Sequence, residues 1–440
     1  MTHRERIIAA LQHLEPDRTP IDLGSSTVTG IAAGTLDRLR KALDLERRNV
    51  KIVEPFQMLG EVEDDVLDAL DLDVIGVWPK EAMFFGYDQD SWKKWKLMDG
   101  TEVLIGSGFG YTTNEAGDVF TYPCGDLTAK PCAKMPLGGF YFDSLPKAEE
   151  PDEKDLNAIE DFKDQFPILN DEQLSYFERT CDRLYRNTDY ALSFNFWQTS
   201  LGDAGFLPGG SLRDPKGIRE ISQFLMAYYT HPEYVKELFE FQTEMGLRNL
   251  RLLKEAIGDR IQIIWVSGND MGSQRGLNFS PDIYREFYKK HHTRINNWIH
   301  ENTKWKVAFH SCGSIVGLLD EFVEVGVDVI NPVQTSAEGM DPRSLKEKYG
   351  KKLVFWGGGV DTQSILPFKS PEVVREDVLK RLEIFTPGGG FVFATIHNIQ
   401  HDVPIANVMA LYAAIRDFNK MKAAKASDVS RSGGPFNTSR

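Results

Sequence analysis

The sequence predicts an α/β protein built as a (β/α)8 TIM barrel, and three observations support this. Eight short apolar runs bounded by Gly, Pro, Asn or Asp alternate with segments of helical period. Such alternation is typical of a parallel sheet, and eight units favour a closed barrel over an open doubly wound sheet. Several runs are apolar at nearly every position, which suits strands that are buried on both faces.

The eight runs supply the predicted strands, and the segments between them supply the helices. In chain order the strands are residues 19–25, 73–79, 190–197, 261–267, 306–310, 328–333, 352–357 and 390–396. Two of the helices have clear starts, because Ser280 precedes Pro281 and Ser370 precedes Pro371. A serine N-cap followed by proline at the first helical position is a common way to begin a helix.

The residues between the second and third predicted strands have a different sequence pattern. Over residues 80–187 the pattern predicts β-hairpins, with turn signals at Asp99-Gly100 and Ala116-Gly117, followed by the acidic linker "KAEEPDEKD". Insertions of this kind sit on βα loops, at the active-site end of a barrel. The sequence therefore predicts a single barrel domain over residues 1–423 with a β-rich insertion at 80–187, and a disordered polar tail at 424–440.

Composition excludes several classes of function. The net charge of −14 comes without a cluster of Lys and Arg, which argues against a nucleic-acid-binding protein. The apolar runs are far shorter than the roughly 20 residues that span a bilayer, and the first residues show no apolar h-region and no small-residue cleavage site, so we expect no signal peptide. We therefore expect a soluble cytoplasmic protein. Its four cysteines are too few for a disulfide framework, so we expect reduced thiols.

Two soft metal ligands follow the fifth strand, and a third possible ligand follows the eighth. His310 ends the fifth run, Cys312 comes two residues later, and His397 stands directly after the last run. The carboxyl ends of barrel strands converge on one mouth, so these side chains can meet there. Three N and S ligands with an open fourth position are typical of catalytic zinc. The alternatives are a buried histidine beside a buried free cysteine, and His401 in place of His397.

Other polar side chains also follow predicted strands. Asp270 follows the apolar "IIWV" and is the best candidate for a fourth metal ligand, a general acid or base, or a substrate anchor. Four further residues are candidate substrate contacts, although each can equally be a helix cap or a loop hydrogen bond. They are Asn195, Gln198, Gln334 and Asp361.

Several motifs spread along the chain resemble the uroporphyrinogen decarboxylase superfamily. They are "HRERIIAALQHLEPDRTPID", "SPDIYREFYKKH", "KVAFHSCGSI", "GVDVINPVQ" and "HNIQHDVPIANV". The resemblance implies a (β/α)8 barrel and one of two branches, a cofactor-free decarboxylase or a zinc-dependent corrinoid methyltransferase. The decarboxylase carries an Arg-containing stretch, MRQAGR, after the first strand, whereas this chain has "LGSSTVTG" at 23–30.

The methyltransferase branch carries His-x-Cys and a later Cys as zinc ligands. His310 and Cys312 match the first part, and aligning Pro404 and Asn407 with the family pattern puts His397 where the later Cys stands. The resemblance thus implies a zinc-dependent methyltransferase that works with a corrinoid carried by a partner protein, since the chain has no cobalamin-binding DxHxxG segment. Residues 80–187 would dock that partner or cover the site.

Two alternatives stay open at this point. One is a metal-free decarboxylase of the same superfamily, acting on a small carboxylate with Asp270 relaying the proton. The other is a noncatalytic binding protein that retains the barrel, but a structural zinc site would normally have four protein ligands.

Overall fold

The structure is a computed structural model that describes residues 1–146 and 153–432. In this part of the chain the strands are β1 (Val50–Glu54), β2 (Leu59–Gly60), β3 (Val74–Val77), β4 (Trp92–Lys96), β5 (Glu102–Gly106), β6 (Tyr111–Thr113), β7 (Val119–Thr121), β8 (Ala133–Met135), β9 (Asp143–Ser144), β10 (Ala191–Asn195), β11 (Ile263–Ser267), β12 (Lys306–His310), β13 (Val329–Asn331), β14 (Val354–Trp356) and β15 (Phe391–Val392).

The helices, over the same described ranges, are α1 (His3–Leu11), α2 (Ala33–Ala42), α3 (Asp64–Ala69), α4 (Ala158–Phe162), α5 (Asp171–Asn187), α6 (Ile221–Thr230), α7 (Pro232–Ile257), α8 (Pro281–Ile283), α9 (Lys289–Asn302), α10 (Leu319–Glu324), α11 (Pro342–Tyr349), α12 (Pro371–Phe385) and α13 (Ile405–Ser432). Short 3-10 turns occupy Pro123–Gly125, Glu153–Asp155 and Val316–Leu318, and a π-helical turn at Tyr284–Tyr288 joins α8 to α9.

A curled parallel sheet forms the centre of the fold. Its strands lie in the order β15-β14-β13-β12-β11-β10-β3. Ile21 forms a parallel bridge with Phe393 beyond β15, and its carbonyl accepts a hydrogen bond from the backbone of Asp73 beside β3. Residues near Ile21 therefore contact both edges of the sheet, and the fold is TIM-barrel-like. Each of the last seven predicted runs contains a strand of this sheet, and the first contains Ile21.

Inward-facing side chains fill the space enclosed by the curled sheet. Two fully buried tryptophans, Trp265 and Trp356, pack there among small and branched side chains from neighbouring strands. Each indole nitrogen has a partner, because Trp265 Nε1 donates to Ser193 Oγ at 2.8 Å and Trp356 Nε1 donates to Asp22 Oδ2 at 2.8 Å. This packed interior closes the barrel below the carboxyl ends of the strands, where the candidate site lies.

A buried ionic cluster fastens the N-terminal segment to the sheet. Asp73 is fully buried just before β3, and its carboxylate accepts hydrogen bonds from Arg6, at 2.7 Å, and from Arg18, at 2.8 Å. His3 Nδ1 lies 2.9 Å from the same carboxylate, and the backbone N–H of Ile21 donates to it at 2.8 Å. These bonds join α1 and the Ile21 segment to β3.

The β-rich region consists of two four-stranded sheets, with orders β2-β1-β5-β4 and β6-β7-β8-β9. The two predicted hairpins are present as the antiparallel pairs β4/β5 and β6/β7. The region is not confined to residues 80–187, however, because β1 pairs in parallel with β5, Val50 lying opposite Val103. That pairing lets residues 50–60 bury apolar side chains against the later hairpin, a long-range contact without a local sequence signal. Most of the acidic linker, 147–152, lies outside the described residues.

The segment predicted to be a disordered tail, 424–440, begins within helix α13. Helix α13 extends to Ser432, so residues 424–432 are helical, and 433–440 lie outside the described residues. The Ala- and Lys-rich segment from residue 418 to 427 has a high helix propensity. The prediction of disorder was based on its low apolar content, which does not prevent a helix from forming. Among the described helices, none is both long and apolar enough to cross a membrane.

Candidate metal centre

Strand ends and tight turns bring the three predicted soft ligands together. His310 is the last residue of β12 and is buried, and Cys312 follows after one residue. The chain then turns at Gly313, where φ is +87° and a Cβ atom would lie 2.4 Å from the backbone of Gly272. A glycine is therefore required there. His397 follows β15 and faces the same space from across the barrel mouth.

The donor atoms have the spacing of a metal site. One ligand atom each from His310, Cys312 and His397 lie within 4.8 Å of one another. Cys312 Sγ is 3.4 Å from His310 Nε2, close to the roughly 3.5 Å that separates N and S ligands around tetrahedral zinc. Cys312 and His397 are each partly exposed, so one side of the cluster is open. The number, type and spacing of these donors fit Zn²⁺ with a vacant position.

Asn331 fixes the orientation of the His310 ring. Its Oδ1 lies 2.6 Å from His310 Nδ1, while its Nδ2 donates to the Trp356 carbonyl at 2.7 Å. The Trp356 carbonyl can only accept, so it fixes the amide with Nδ2 toward itself and Oδ1 toward His310. The imidazole proton therefore sits on Nδ1, and Nε2 is left free for the cluster. Asn331 was not predicted as a site residue, because it lies within the sixth predicted strand, 328–333, whereas the observed strand β13 ends at Asn331.

Asp270 lies beside the cluster, as its position after β11 suggested. Its Oδ1 accepts a hydrogen bond from the Cys312 backbone N–H at 2.7 Å and is 3.5 Å from His310 Nε2. The side chain is 49% exposed, so the carboxylate both holds the Cys312 loop and remains accessible to a bound molecule.

Burial shapes the protonation of the cluster. Burial, reinforced by the Asp270 carboxylate, holds the pKa of the Cys312 thiol well above its usual range. Burial and the neighbouring His310 ring lower the pKa of His397, so this imidazole is neutral and has a free lone pair. A bound divalent cation would favour the thiolate, which is the ligand form of cysteine.

A second carboxylate near the cluster, Asp203, was not predicted. It accepts hydrogen bonds from Ser200 Oγ at 2.7 Å and from the Gly205 backbone at 2.8 Å. Burial raises its pKa, the Asp270 charge raises it further, and the His310 ring opposes this. Asp203 lies in the loop after β10, eight residues past that strand. The sequence prediction selected only polar residues close to the strand ends, so Asp203 was not among them.

The four predicted substrate contacts have different surroundings. Gln334 adjoins the cluster, because its Oε1 accepts from the Gly313 backbone at 2.7 Å. Asp361 instead caps its own turn, accepting from Gln363 and Ser364. Asn195 donates to the carbonyls of Ser25 and Val77, and Gln198 Oε1 accepts from Asn249. Of the four, only Gln334 contacts the loop that carries Cys312.

The remaining histidines considered from the sequence lie outside the cluster. His401 stacks on Phe140, with ring centroids 3.5 Å apart, and its Nε2 is 3.1 Å from Asp99 Oδ2. It therefore contacts the β-rich region rather than the three donors. His291 and His292 are buried in α9, where each Nδ1 is hydrogen-bonded to a neighbouring hydroxyl.

Comparisons with known proteins agree with this fold. Residues 209–418 match the family model described as uroporphyrinogen decarboxylase (URO-D). A protein named uroporphyrinogen decarboxylase from Mannheimia succiniciproducens is 26% identical over 193 residues, which are 44% of this chain and 51% of that protein. The matched part thus spans about half the length of that relative.

A solved structure extends the similarity to most of the chain. A methyltransferase from Methanosarcina mazei superposes with a TM-score of 0.53 and 15% identity, over 95% of this chain and 99% of the other. At that identity the likeness concerns the fold. The predicted resemblance to the superfamily is confirmed, and the matched segment 209–418 contains all three cluster residues.

Proposed function

Because residues 209–418 match the uroporphyrinogen decarboxylase (URO-D) family model and three soft donors meet at the barrel mouth, we propose that this chain is a zinc-dependent methyltransferase. It moves a methyl group between a small methylated substrate, for example a methoxylated compound, and a corrinoid carried by a separate partner protein. His310, Cys312 and His397 are the zinc ligands. The observation that carries the proposal is the meeting of these three donors within 4.8 Å at the carboxyl ends of β12 and β15.

The donor set suits activation of a methylated heteroatom. Zn²⁺ bound there would act as a Lewis acid on the oxygen or nitrogen that carries the methyl group. Two neutral imidazoles and one thiolate leave more positive charge on the ion than one imidazole and two thiolates would. His397 in the place of a cysteine therefore favours withdrawal of electrons from a leaving group.

The chain's own residues supply orientation and proton exchange. Asn331 holds His310 with Nε2 toward the open space, and Asp270 and Gln334 hold the Cys312 loop through two backbone N–H groups. A reduced corrinoid on the partner would supply the electron pair for the new bond to the methyl group, and the heteroatom would keep the pair of the bond that breaks. The exposed Asp270 carboxylate is placed to exchange a proton with the departing heteroatom.

A metal-free decarboxylase is the second candidate, favoured by the name of the matched relative and by the exposed Asp270 at the barrel mouth. Two features weigh against it. Residues 23–30 contain no arginine for a polyanionic substrate, and a cluster of three soft ligands beside an exposed carboxylate has no role in that chemistry.

Metal content tests the proposal. We expect about one zinc per chain in protein purified without added metal, measured by plasma mass spectrometry, and loss of zinc in both Cys312→Ala and His397→Ala. His401→Ala is the matched control, because His401 lies only four residues from His397 but outside the cluster. Zinc retained in His397→Ala, or lost only in His401→Ala, would show that the assigned ligand set is wrong.

Activity is then tested with the zinc-loaded chain. Small methyl ethers and methylamines are offered together with a reduced corrinoid protein, and the corrinoid absorbance is followed as it accepts a methyl group. Transfer by the parent chain and its loss in Cys312→Ala support the methyltransferase. Release of CO₂ from a small carboxylate by the metal-free chain would support the decarboxylase instead.

A further inference from the structure

A cavity of about 200 Å³ lies apart from the metal cluster, at the carboxyl ends of β3 and β10. Its walls come from residues 79–86 after β3, residues 194–211 from the end of β10 and its following loop, residues 165–177 leading into α5, and Leu253 of α7. His310, Cys312 and His397 are not among its lining residues. The cavity is therefore a second concave site on the face of the barrel that carries the metal cluster.

Aromatic rings form most of the apolar wall. Phe84 stacks with Phe206, with ring centroids 4.9 Å apart, and Phe177 lies against Phe194, also at 4.9 Å. Trp197 completes this wall on the side of β11 and is itself buried. A site with so many ring surfaces selects either a flat neutral ring or an organic cation.

The charge of the wall distinguishes these two ligand classes. Glu81 is the single charged residue among the described lining residues, which include no Lys, Arg or His. Its carboxylate accepts only from Gln173 Nε2 at 3.4 Å, and no cation within residues 1–146 and 153–432 pairs with it.

The basic side chains near this part of the wall have other partners. Lys80, adjacent to Glu81, forms ion pairs with Asp88, Asp90 and Glu172. Arg219, one layer behind, donates to Gln165 and to main-chain carbonyls.

One amide group in the cavity also lacks a partner. Gln198 Oε1 accepts from Asn249, but no residue in the described ranges accepts from Gln198 Nε2. The cavity thus offers a lone carboxylate, aromatic rings and a free N–H donor. This combination is complementary to a cation that also carries a hydrogen-bond acceptor.

We propose that this cavity binds a small methylated ammonium compound of about the size of choline. A cationic methylammonium group interacts favourably with aromatic faces and with an unpaired carboxylate, whereas an anion would find only negative charge. The volume is adequate, since an apolar cavity of about 150 Å³ already holds a benzene molecule. The cavity and the metal cluster share no residue, so their ligands can be tested separately, although two of the predicted substrate contacts, Asn195 and Gln198, line the cavity.

Titration calorimetry on the full chain tests the proposal with matched probes. Choline and its neutral carbon isostere, 3,3-dimethylbutan-1-ol, have the same shape and differ in charge. We expect choline to bind about tenfold or more tightly than the isostere, a margin of the size that cation–π contacts and one carboxylate provide. Glu81→Gln should remove most of that difference. Glu172→Gln is the control, because Glu172 is 72% exposed and also pairs with Lys80, yet does not line the cavity.

Phe206→Leu provides a second variant that keeps the cavity apolar but removes one aromatic ring. It should weaken the binding of choline more than the binding of the isostere. Equal binding of choline and isostere, tighter binding of phenol than of choline, or no binding at millimolar choline would overturn the proposal. The same titrations with Cys312→Ala separate the two proposals, since loss of zinc there should leave choline binding unchanged.

Discussion

At the scale of single residues, Asn331 is predicted to govern metal affinity without touching the metal. It holds His310 through a 2.6 Å contact and is itself held by Trp356. Removing a partner of this kind typically lowers metal affinity by about 10- to 100-fold. We therefore expect Asn331→Ala to release zinc to a competing chelator at correspondingly lower chelator concentration.

Asn407→Ala is the control for Asn331→Ala. Asn407 is equally buried and donates to two carbonyls, those of Leu366 and Lys369, but lies outside the cluster. It should lower stability and leave zinc affinity unchanged. Equal zinc affinity in the Asn331 variant and the parent would mean that Asn331 does not orient the ligand.

A second residue-scale prediction concerns Glu54. Its buried carboxyl accepts from the Phe56 and Gln57 backbones, and burial raises its pKa to about 7. The folded state thus keeps a proton that the unfolded state releases near pH 4.3, so stability falls as pH rises from about 4 to about 7. The loss should approach about 3 kcal/mol relative to Glu54→Gln, which cannot titrate.

Urea unfolding at several pH values measures this difference. The quantity to compare is the change in unfolding free energy with pH, because Glu54→Gln also loses a hydrogen bond at every pH. Glu172→Gln, which changes an exposed carboxyl, should follow the parent. Parallel pH profiles for the parent and Glu54→Gln would contradict the raised pKa.

At the scale of elements, Asp73 joins α1, the Ile21 segment and β3. Removing its carboxylate leaves Arg18 without a carboxylate partner among the described residues and leaves Arg6 with Asp17 alone, in a largely buried setting. Breaking one partner of a buried ionic cluster typically costs about 3 to 5 kcal/mol. We expect Asp73→Ala to lower the free energy of urea unfolding by that amount.

The control for Asp73 is a partly exposed carboxylate with two arginine partners. Asp182 pairs with Arg186 and Arg260, and Asp182→Ala should cost less than about 1 kcal/mol. If the two variants lose equal stability, the Asp73 cluster does not fasten α1 to the sheet.

Elements with strong local patterns were predictable from the sequence, whereas long-range pairings were not. The eight apolar runs predicted the strands of the curled sheet, because burial on both faces leaves a nearly continuous apolar signature. The pairing of β1 with β5 depends on edges that meet only after the chain has folded. For the same reason nothing local indicated that residues 50–60 complete the first β-rich sheet.

At the scale of the whole molecule, the rule that active sites lie at the carboxyl ends of barrel strands predicted the cluster and the neighbouring Asp270, but not the contacts that long loops make around them. Topology alone places the ends of β12 and β15 at one mouth, so His310, Cys312 and His397 could be selected before any coordinates were known. Asp203 and the contact of Gln334 with Gly313 depend on how long loops fold over that mouth. The cap formed by Asp361 shows the converse, because a strand-end carboxylate can simply satisfy its own turn.

The whole molecule also allows a test of the single-domain organisation proposed for residues 1–423. Within residues 405–424 of α13, the buried side chains lie in the first three turns, at Asn407, Val408, Leu411, Tyr412, Ala414 and Ile415. Lys422 forms an ion pair with Glu15 at 2.9 Å. A chain ending at residue 423 keeps all of these contacts. We expect its unfolding free energy to stay within about 0.5 kcal/mol of the full chain, as for surface changes, with unchanged zinc content.

A chain ending at residue 404 is the informative comparison. It exposes the apolar surface that α13 covers on α2 and α12, next to the Ile21 segment, and also removes Asn407, which holds the loop after β14. Loss of the cooperative urea transition and of bound zinc in this shorter chain, with both retained in the chain ending at 423, would place the boundary of the domain between residues 404 and 423. A large loss of stability in the longer truncation would instead make residues 424–440 part of the folded domain.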